Sequence, residues 1–186
     1  MDGTDEELML AVASGDLDAF GELVRRHQRS AWNVAWRMLH DSTEAEDAAQ
    51  DAFLKILNAA PRYRPTASFR TYLYRVISRL CLDRLRKMHP IYTDRLPPSV
   101  SEDPGPPEQI GRRETAADVR RALDTLPPRQ RMALVLRHFE ELSYKEIAEA
   151  MDTSVKSVER LLSRGREALA DPLKNARPSS RPPSSS

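Results

Sequence analysis

Apolar residues recur every three or four positions through most of the first half of the chain, a spacing that places them on one face of an α-helix. The pattern predicts a short helix over residues 5–13 and a long helix whose apolar stripe covers residues 20–38. A third helix is predicted over residues 42–60, where Thr43 and Glu46 have the spacing of a capping box. Each of these helices would bury one face and leave the opposite face polar.

A fourth helix follows a loop that begins at Pro61. Ser68 is the expected N-cap of this helix. His89-Pro90 should end it, because the residue before a proline disfavours helical backbone angles. We therefore expect the four helices to form one domain over residues 1–89.

The periodic pattern disappears over residues 90–112, which contain six prolines and predict an extended, flexible linker. Helical periodicity resumes near Arg113, and Pro128 is well placed as the first residue of a further helix. A second helical domain is therefore expected over residues 113–171. The remaining residues, 172–186, are rich in proline and serine, a composition typical of disordered tails.

The end of the second domain has the pattern of a helix-turn-helix. Ser143 and Glu146 form a capping box for a short helix, Asp152-Thr153 make a tight turn, and Ser154 caps the final helix. An ordinary helical hairpin would have the same apolar pattern, but the caps, the turn length and the basic outer face favour DNA binding. The predicted fold class is all-α, with two small helical domains joined by the proline-rich linker.

Charge is distributed unevenly along the chain. The stretch from Pro61 to Lys87 contains eight basic residues and one acidic residue, with four aromatic residues between them. Cations can meet phosphates while rings stack on bases of any identity, so this stretch suits a nucleic-acid strand with exposed bases. The alternative is an amphipathic helix that has a solvated basic face and uses its aromatic residues as core. Residues 1–60 instead hold twelve acidic and five basic residues, which indicates a different partner.

The sequence lacks the motifs of phosphate-binding, metal-binding and nucleophilic catalytic sites. The six glycines form no phosphate-binding loop, the four histidines and Cys81 lack metal-ligand spacing, and no nucleophile is placed beside a base. We therefore expect no enzyme activity, metal site or cofactor. A single cysteine fits a reducing compartment, and no apolar run resembles a signal peptide or membrane span, so we expect a cytoplasmic protein.

Five segments in order resemble the extracytoplasmic-function group of bacterial RNA polymerase sigma factors. They are AFGELVRRH, EAEDAAQDAFLKI, SFRTYLYRVISRLCLDRLRK, LDTLPPRQRMALVLRHFEELSYKEIAEAM and SVKSVERLLSRGREAL, and the resemblance covers roughly residues 5–170. It implies a protein that binds core RNA polymerase and promoter DNA, directs promoter-specific initiation including melting, and has an anti-sigma partner. The first domain would bind the polymerase clamp and open and read the minus-ten element. The second would read the minus-thirty-five element, and the linker would thread toward the polymerase active-site channel.

The resemblance, with the residue types present, assigns residues to these roles. The polymerase-binding surface would comprise Asp47, Gln50, Asp51 and Phe53. The minus-ten contacts would come from Tyr63, Arg64, Ser68, Phe69, Tyr72, Arg75, Arg79 and Arg86. The minus-thirty-five contacts would come from Lys156, Ser157, Arg160, Ser163, Arg164 and Arg166.

These residues would act in different ways. Tyr63 and the loop Arg64–Ser68 would hold a splayed base, whereas Phe69 and Tyr72 would either stack on bases or support the loop from the core. Among the minus-thirty-five residues, Arg160 and Arg164 are expected to read base edges. Lys156 and Arg166 are expected to contact phosphates, which position a protein without specifying sequence.

Four positions depart from the family pattern. The family commonly has Trp at Tyr72, Asn at Arg79, Gly at Asp152, and Lys or Arg at Glu159. These departures affect base preference rather than the general role, because base-edge contacts depend on side-chain identity. The alternative function is a stand-alone helix-turn-helix regulator, but such a protein would not need the aromatic and basic helix of the first domain.

Overall fold

A computed structural model of the protein describes residues 3–88 and 121–175, with side chains described as far as residue 170. Every regular element in these two ranges is helical, which confirms the predicted all-α class. The predicted linker over 90–112, the start of the helix expected from Arg113, and the chain beyond Asn175 lie outside the described residues.

The N-terminal domain contains the four helices that the periodic pattern predicts. They are α1 (Asp5–Ala13), α2 (Leu17–Leu39), α3 (Ser42–Ala59) and α4 (Phe69–Met88), with a short 3₁₀ turn at Ala60–Arg62 after α3. The helices bury a common core in which Met9, Leu23 and Ile77 are fully enclosed. Removing these side chains from water is the main contribution to the stability of the domain.

The predicted cap of α3 is wrong. Asp41 is the N-cap, and its Oδ1 accepts a hydrogen bond from the Glu44 backbone N–H at 2.9 Å. His40 has a left-handed backbone with φ 56°, and this turns the chain out of α2 so that Asp41 is already extended. Thr43 therefore lies inside the first turn of α3 and cannot form the predicted capping box with Glu46.

The C-terminal domain begins with helical residues 121–124, whose upstream part is not described. It continues with α5 (Pro128–His138), α6 (Tyr144–Ala150) and α7 (Val155–Asn175). Pro128 starts α5 as predicted, and the Ser143–Glu146 capping box is present at α6. The Ser154 hydroxyl caps α7 by accepting from the Ser157 N–H at 3.2 Å. The final helix continues past the predicted domain end at residue 171.

Gly165 allows α7 to pack closely on α5. A Cβ atom at this position would lie 2.8 Å from Leu134 Cδ1 and 3.3 Å from Leu134 Cγ. The first distance is shorter than side-chain carbons tolerate, so a larger residue would require the Leu134 side chain or the two helices to shift. The close approach explains why a residue that weakens helices stands inside this one.

The two domains pack against each other. The face of α4 that carries Ser78 meets α5, where the Ser78 hydroxyl lies 3.3 Å from Met132 Sδ. The Arg131 guanidinium of α5 donates to the Met38 carbonyl of α2 at 3.0 Å. Ser78, Met132 and Arg131 are all buried, so this contact forms a continuous interior between the domains.

Candidate nucleic-acid and polymerase interfaces

Three arginines predicted to follow DNA lie along one exposed side of α4. Arg79 follows Arg75 by one helical turn, and Arg86 follows Arg79 by two turns. The three side chains therefore lie on the same face of α4. Arg86 also pairs with Asp83 at 2.9 Å. Arg84 points elsewhere: it bridges α4 to α3 through the carboxylates of Glu44 and Asp51, at 2.9 and 2.7 Å.

A small pocket lies between the 3₁₀ turn and the start of α4. Its volume is about 170 Å³, and its walls include Tyr63, Arg64, Thr66, Tyr72 and Arg75. The Arg64 side chain is exposed and its Nη1 donates to the Tyr63 carbonyl at 3.0 Å. With Arg62, three cations and two aromatic rings therefore surround one concavity.

The rings around this loop are largely buried. Phe69 is completely enclosed and packs on His27 with 5.2 Å between ring centroids, so it supports the loop from the core and does not offer a face to a base. The Tyr63 side chain is 7% exposed and its ring centroid lies 5.5 Å from that of Tyr72. Burial raises the pKa of both tyrosine hydroxyls, which therefore stay neutral at physiological pH.

Ser68 terminates the loop and is engaged in capping. Its hydroxyl accepts a hydrogen bond from the Thr71 N–H at 3.2 Å, which confirms Ser68 as the N-cap of α4. The side chain is exposed at the same time. The contacts of its hydroxyl are those of a helix N-cap, and a DNA contact from Ser68 stays a prediction.

The predicted polymerase-binding residues on α3 separate into two groups. Asp47 and Gln50 are exposed, whereas Asp51 is half-buried and paired with Arg84. Phe53 lies on the buried stripe that the apolar periodicity predicts: it is 6% exposed and packs edge-on against Phe20 with 6.4 Å between ring centroids, and a polymerase contact from it stays a prediction. A fully apolar ring on the buried stripe of an amphipathic helix belongs to the core.

Leu54 is the apolar residue that the sequence analysis missed on this surface. It is 55% exposed and stands four residues after Gln50 and seven after Asp47, which places all three on one helical stripe. The helical spacing of Leu54 from Gln50 and Asp47 was a signal in the sequence that could have identified it.

The helix-turn-helix of the C-terminal domain has the predicted geometry. α6 and α7 are joined at residues 151–154, and the Thr153 N–H donates back to the Ala148 carbonyl at 2.9 Å. Asp152 has φ 48°, a left-handed conformation that glycine adopts without strain. The glycine that the family often has at this position therefore fits the backbone observed here.

The outer face of α7 carries the predicted minus-thirty-five residues. Lys156, Arg160, Ser163 and Arg164 are exposed, and Ser157 is half-buried. Arg160 Nη2 donates to the Ser157 hydroxyl at 3.3 Å. Arg166 points toward α6, where its Nη2 donates to the Tyr144 hydroxyl at 3.1 Å, so it lies at the side of the reading face.

A polar contact that the sequence analysis did not predict joins α4 to the loop before α6. Tyr74 is fully buried, and its hydroxyl donates to a carboxylate oxygen of Glu140. Arg70 donates to the Glu140 carbonyl, and Arg75 Nε donates to the Glu149 carbonyl at 3.0 Å. Burial, followed by the hydrogen bond to Glu140, raises the pKa of Tyr74. Two of the basic residues on α4 are thus engaged by the other domain.

A cleft of about 720 Å³ separates the remaining parts of the two domains. One wall carries Arg75, Arg79 and Arg86 of α4, and the other carries Arg129 and Asp152. The side of α4 that carries the predicted DNA contacts is therefore directed at the C-terminal domain in this arrangement.

Other candidate chemistry is lacking in the two described ranges. No group of three His, Cys, Asp or Glu residues there could hold a metal ion, and none of their helices is long and apolar enough to cross a membrane. Cys81 is buried, and burial raises the pKa of its thiol to about 12. A thiol that stays protonated is a poor nucleophile.

Both domains match models of known protein families. The model described as Sigma-70 region 2 matches residues 23–89, and the model described as Sigma-70, region 4 matches residues 116–169. The first match covers most of the four-helix domain, including the pocket and the arginines of α4. The second covers the helix-turn-helix.

Two solved structures have a similar fold. CnrH, solved in complex with the cytosolic domain of CnrY, aligns with a TM-score of 0.71 and 26% identity over 92% of this chain and 97% of its own. The sigma factor RpoE, solved with the anti-sigma factor NepR from Bartonella quintana, aligns with a TM-score of 0.63 over 85% of this chain and 98% of its own. Its identity is 18%, so it supports the fold alone.

Curated relatives extend over most of the chain. The chain is 34% identical over 179 residues to the ECF RNA polymerase sigma factor SigE of Mycolicibacterium smegmatis, covering 91% of this chain and 69% of the relative. It is 31% identical over 175 residues to SigW of Bacillus subtilis, covering 88% and 94%. With region 2 and region 4 both present in the expected order, the chain belongs to the ECF group of RNA polymerase sigma factors and directs promoter-specific transcription initiation.

Proposed function

We propose that this sigma factor opens the minus-ten element with the loop Tyr63–Ser68 and α4, and reads the minus-thirty-five element with α7. The observation that carries the proposal is the pocket between the 3₁₀ turn and α4, which lies at one end of the row of exposed arginines. A pocket beside a basic track suits a strand whose backbone follows the track while one base enters the pocket.

Strand capture at this pocket would offset the cost of melting. Unstacking and unpairing one base costs a few kcal/mol. Arg64 and Arg75 line the pocket and can contact the flanking phosphates, while the half-buried Tyr72 lies at its wall. Because Phe69 and Tyr63 are buried, their contribution is to hold the pocket in shape before DNA arrives.

The C-terminal domain would engage duplex DNA. α7 presents Arg160 and Arg164 one turn apart on an exposed face, as a recognition helix does in the major groove. Lys156 at the start of α7 and Arg166 at its side suit phosphates of the adjoining backbone. On α3, the stripe Asp47, Gln50 and Leu54 would bind core polymerase.

Promoter binding would require the two domains to separate. The centres of the two promoter elements lie about 25 base pairs apart, which is roughly 85 Å at about 3.4 Å per step. Here α4 touches α6, with Arg75 Nε 3.0 Å from the Glu149 carbonyl. Helices about 10 Å in diameter that are in contact cannot reach both elements. The described arrangement therefore suits a protein that is not bound to a promoter.

The same reasoning extends to partners and location. CnrH and RpoE were each solved with a bound protein, NepR being an anti-sigma factor. We propose that a protein of the anti-sigma class holds this chain in a similar closed arrangement. The chain would act in the cytoplasm beside RNA polymerase and have no catalytic activity of its own.

The test uses the full chain with core polymerase, comparing Tyr63→Ala and Arg64→Ala with the wild type. Permanganate reactivity in the minus-ten region reports melting, and gel shift at low temperature reports closed-complex binding. We expect melting to fall more than closed-complex binding, and a template mismatched across the minus-ten region to restore transcription. Arg29→Ala, an exposed cation on α2, is the control for lost charge.

Two results would contradict the proposal. Wild-type melting by both variants would show that the loop is not the melting element. A defect that persists on the mismatched template would assign the residues to folding or polymerase docking.

A further inference from the structure

α1 holds the downstream end of the melting loop through one hydrogen bond. Glu6 Oε1 accepts from the Phe69 backbone N–H at 2.7 Å and joins residues that are 63 positions apart in the chain. Phe69 is the first residue of α4, so its N–H has no acceptor within the helix. A carboxylate at this end is also favoured by the positive end of the helix dipole.

Glu6 completes the capping that Ser68 begins. The Ser68 hydroxyl accepts a hydrogen bond from the Thr71 N–H, and the Glu6 carboxylate accepts one from the Phe69 N–H. Two of the first N–H groups of α4 are therefore satisfied by different elements. The first is local in sequence, whereas the second depends on α1. The end of the loop is therefore fixed relative to α1 and not only to α4.

α1 is itself anchored at a defined position. Asp5, next to Glu6, contacts His27 Nε2 at 2.6 Å and Arg26 Nη1 at 3.1 Å, both on α2. The Thr4–Glu7 capping box fixes the start of α1. These contacts leave Glu6 little freedom to move with the loop.

The charge of the same carboxylate also acts on the upstream part of the loop. After burial, the Glu6 charge is the next cause that raises the pKa of Tyr63. The buried Tyr63 hydroxyl has no hydrogen-bond partner among the described residues. Glu6 therefore acts on both ends of the loop, through a hydrogen bond at Phe69 and through its charge at Tyr63.

We propose that Glu6 is a positioning residue for promoter melting, which holds the loop Tyr63–Ser68 in its base-receiving shape through the Phe69 N–H. The inference rests on the proposed function of that loop. Loss of a helix cap typically reduces the capped population about fivefold, and we expect a fivefold loss in the ratio of open to closed complexes.

Two conservative variants separate the hydrogen bond from the charge. Glu6→Gln keeps the length and an acceptor oxygen but loses the charge, so it should melt promoters nearly as well as the wild type. Glu6→Asp keeps the charge but is shorter by one methylene, so it should show the fivefold loss. Asp18→Ala removes an exposed acid from the first turn of α2 and should leave melting unchanged.

The measurement is permanganate reactivity of the minus-ten region with the full chain and core polymerase, on duplex and mismatched templates. The mismatched template should abolish the difference between Glu6→Asp and the wild type. Wild-type melting by Glu6→Asp, or equal defects in Glu6→Gln and Glu6→Asp, would overturn the inference. So would an equal loss of closed and open complexes, which indicates a folding defect.

Failure of this inference can be distinguished from failure of the proposed function. If Arg64→Ala impairs melting while Glu6→Asp does not, the loop is the melting element and Glu6 does not position it. If neither variant impairs melting, the proposed function of the loop is wrong.

Discussion

In the N-terminal domain, the groups expected to meet DNA rest on buried rings, whereas in the C-terminal domain they project from an exposed helix. Tyr63 and Phe69 are almost entirely enclosed beneath the loop pocket. Arg160 and Arg164 stand free of the core on α7, above the buried Val158 and Leu162. One region is concave and supported from inside, and the other is convex.

This difference matches what each region is proposed to bind. An unpaired base must be surrounded to compensate for lost stacking, so it needs a cavity whose walls are already in place. A duplex presents its base edges inside a groove about 12 Å wide, and the protein must enter that groove. Substitutions of the buried rings in the first region should therefore affect folding and melting together, whereas substitutions of the exposed arginines of α7 should affect only recognition.

The largest expected effect is that of Phe69→Ala. Removing a fully buried phenylalanine leaves a cavity, so the free energy of unfolding should fall by about 3–5 kcal/mol. Urea denaturation followed by circular dichroism measures the change. Arg160→Ala, on the exposed face of α7, should alter stability by less than about 0.5 kcal/mol. Equal losses of unfolding free energy in the two variants would contradict the view that the first region is supported by its core and the second is not.

Gly165→Ala tests whether α7 is held by close packing on α5. The added Cβ would meet Leu134 at 2.8 Å, so we expect a destabilisation of about 1–3 kcal/mol. Gly21 lies in α2 with no atom within 4 Å of an added Cβ, so Gly21→Ala should instead stabilise the protein by roughly 0.5–1 kcal/mol. Thermal unfolding of both variants checks the opposite signs. Stabilisation by both would show that Leu134 yields to the added carbon.

Arg160→Ala and Lys156→Ala should affect DNA binding in different ways. A lost bidentate contact to a base lowers discrimination by about 1–3 kcal/mol, so Arg160→Ala should change sequence preference. Lys156→Ala should weaken all sites alike and reduce the salt slope by about 1. Binding to a library of minus-thirty-five sequences at several salt concentrations measures both. A uniform loss in both variants would mean that α7 reads no base through Arg160.

Asp152→Gly should give the smallest effect. Glycine adopts the left-handed backbone at this turn without strain, but it also gives the unfolded chain more freedom. The net stabilisation should therefore be no more than about 1 kcal/mol. Urea denaturation and promoter binding should show a slightly more stable protein with unchanged sequence preference. A loss of stability would indicate that the Asp152 side chain contributes to the turn.

Features of the fold that depend on neighbours in sequence were predictable. The helices, the caps at Ser68, Ser143 and Ser154, and the start of α5 follow from local spacing and residue type. The cap of α3 was not predictable in this way, because Asp41 and Thr43 are both acceptable N-caps. The left-handed backbone of His40 decides between them. Local patterns identify candidates but do not choose among neighbouring ones.

Features that depend on contacts between distant residues were not predictable. The periodicity of α3 places Phe53 on its buried stripe, but only the structure shows that Phe20 is the ring it packs against. The role of Gly165 requires knowing that Leu134 lies opposite. The contact between Tyr74 and Glu140 joins two domains whose arrangement no periodic pattern specifies.

Because the proposed promoter complex requires the two domains to separate, the buried hydrogen bond between Tyr74 and Glu140 would lower the fraction of molecules that can bind a promoter. If only a fraction of free molecules has its domains apart, the apparent affinity for a complete promoter is lowered by that fraction. A preference of about 2.8 kcal/mol for the closed form would leave roughly one molecule in a hundred competent and weaken binding about 100-fold. Core polymerase that selects the separated form would restore this affinity. A sigma factor built in this way would stay off chromosomal promoters until the enzyme that needs it is attached.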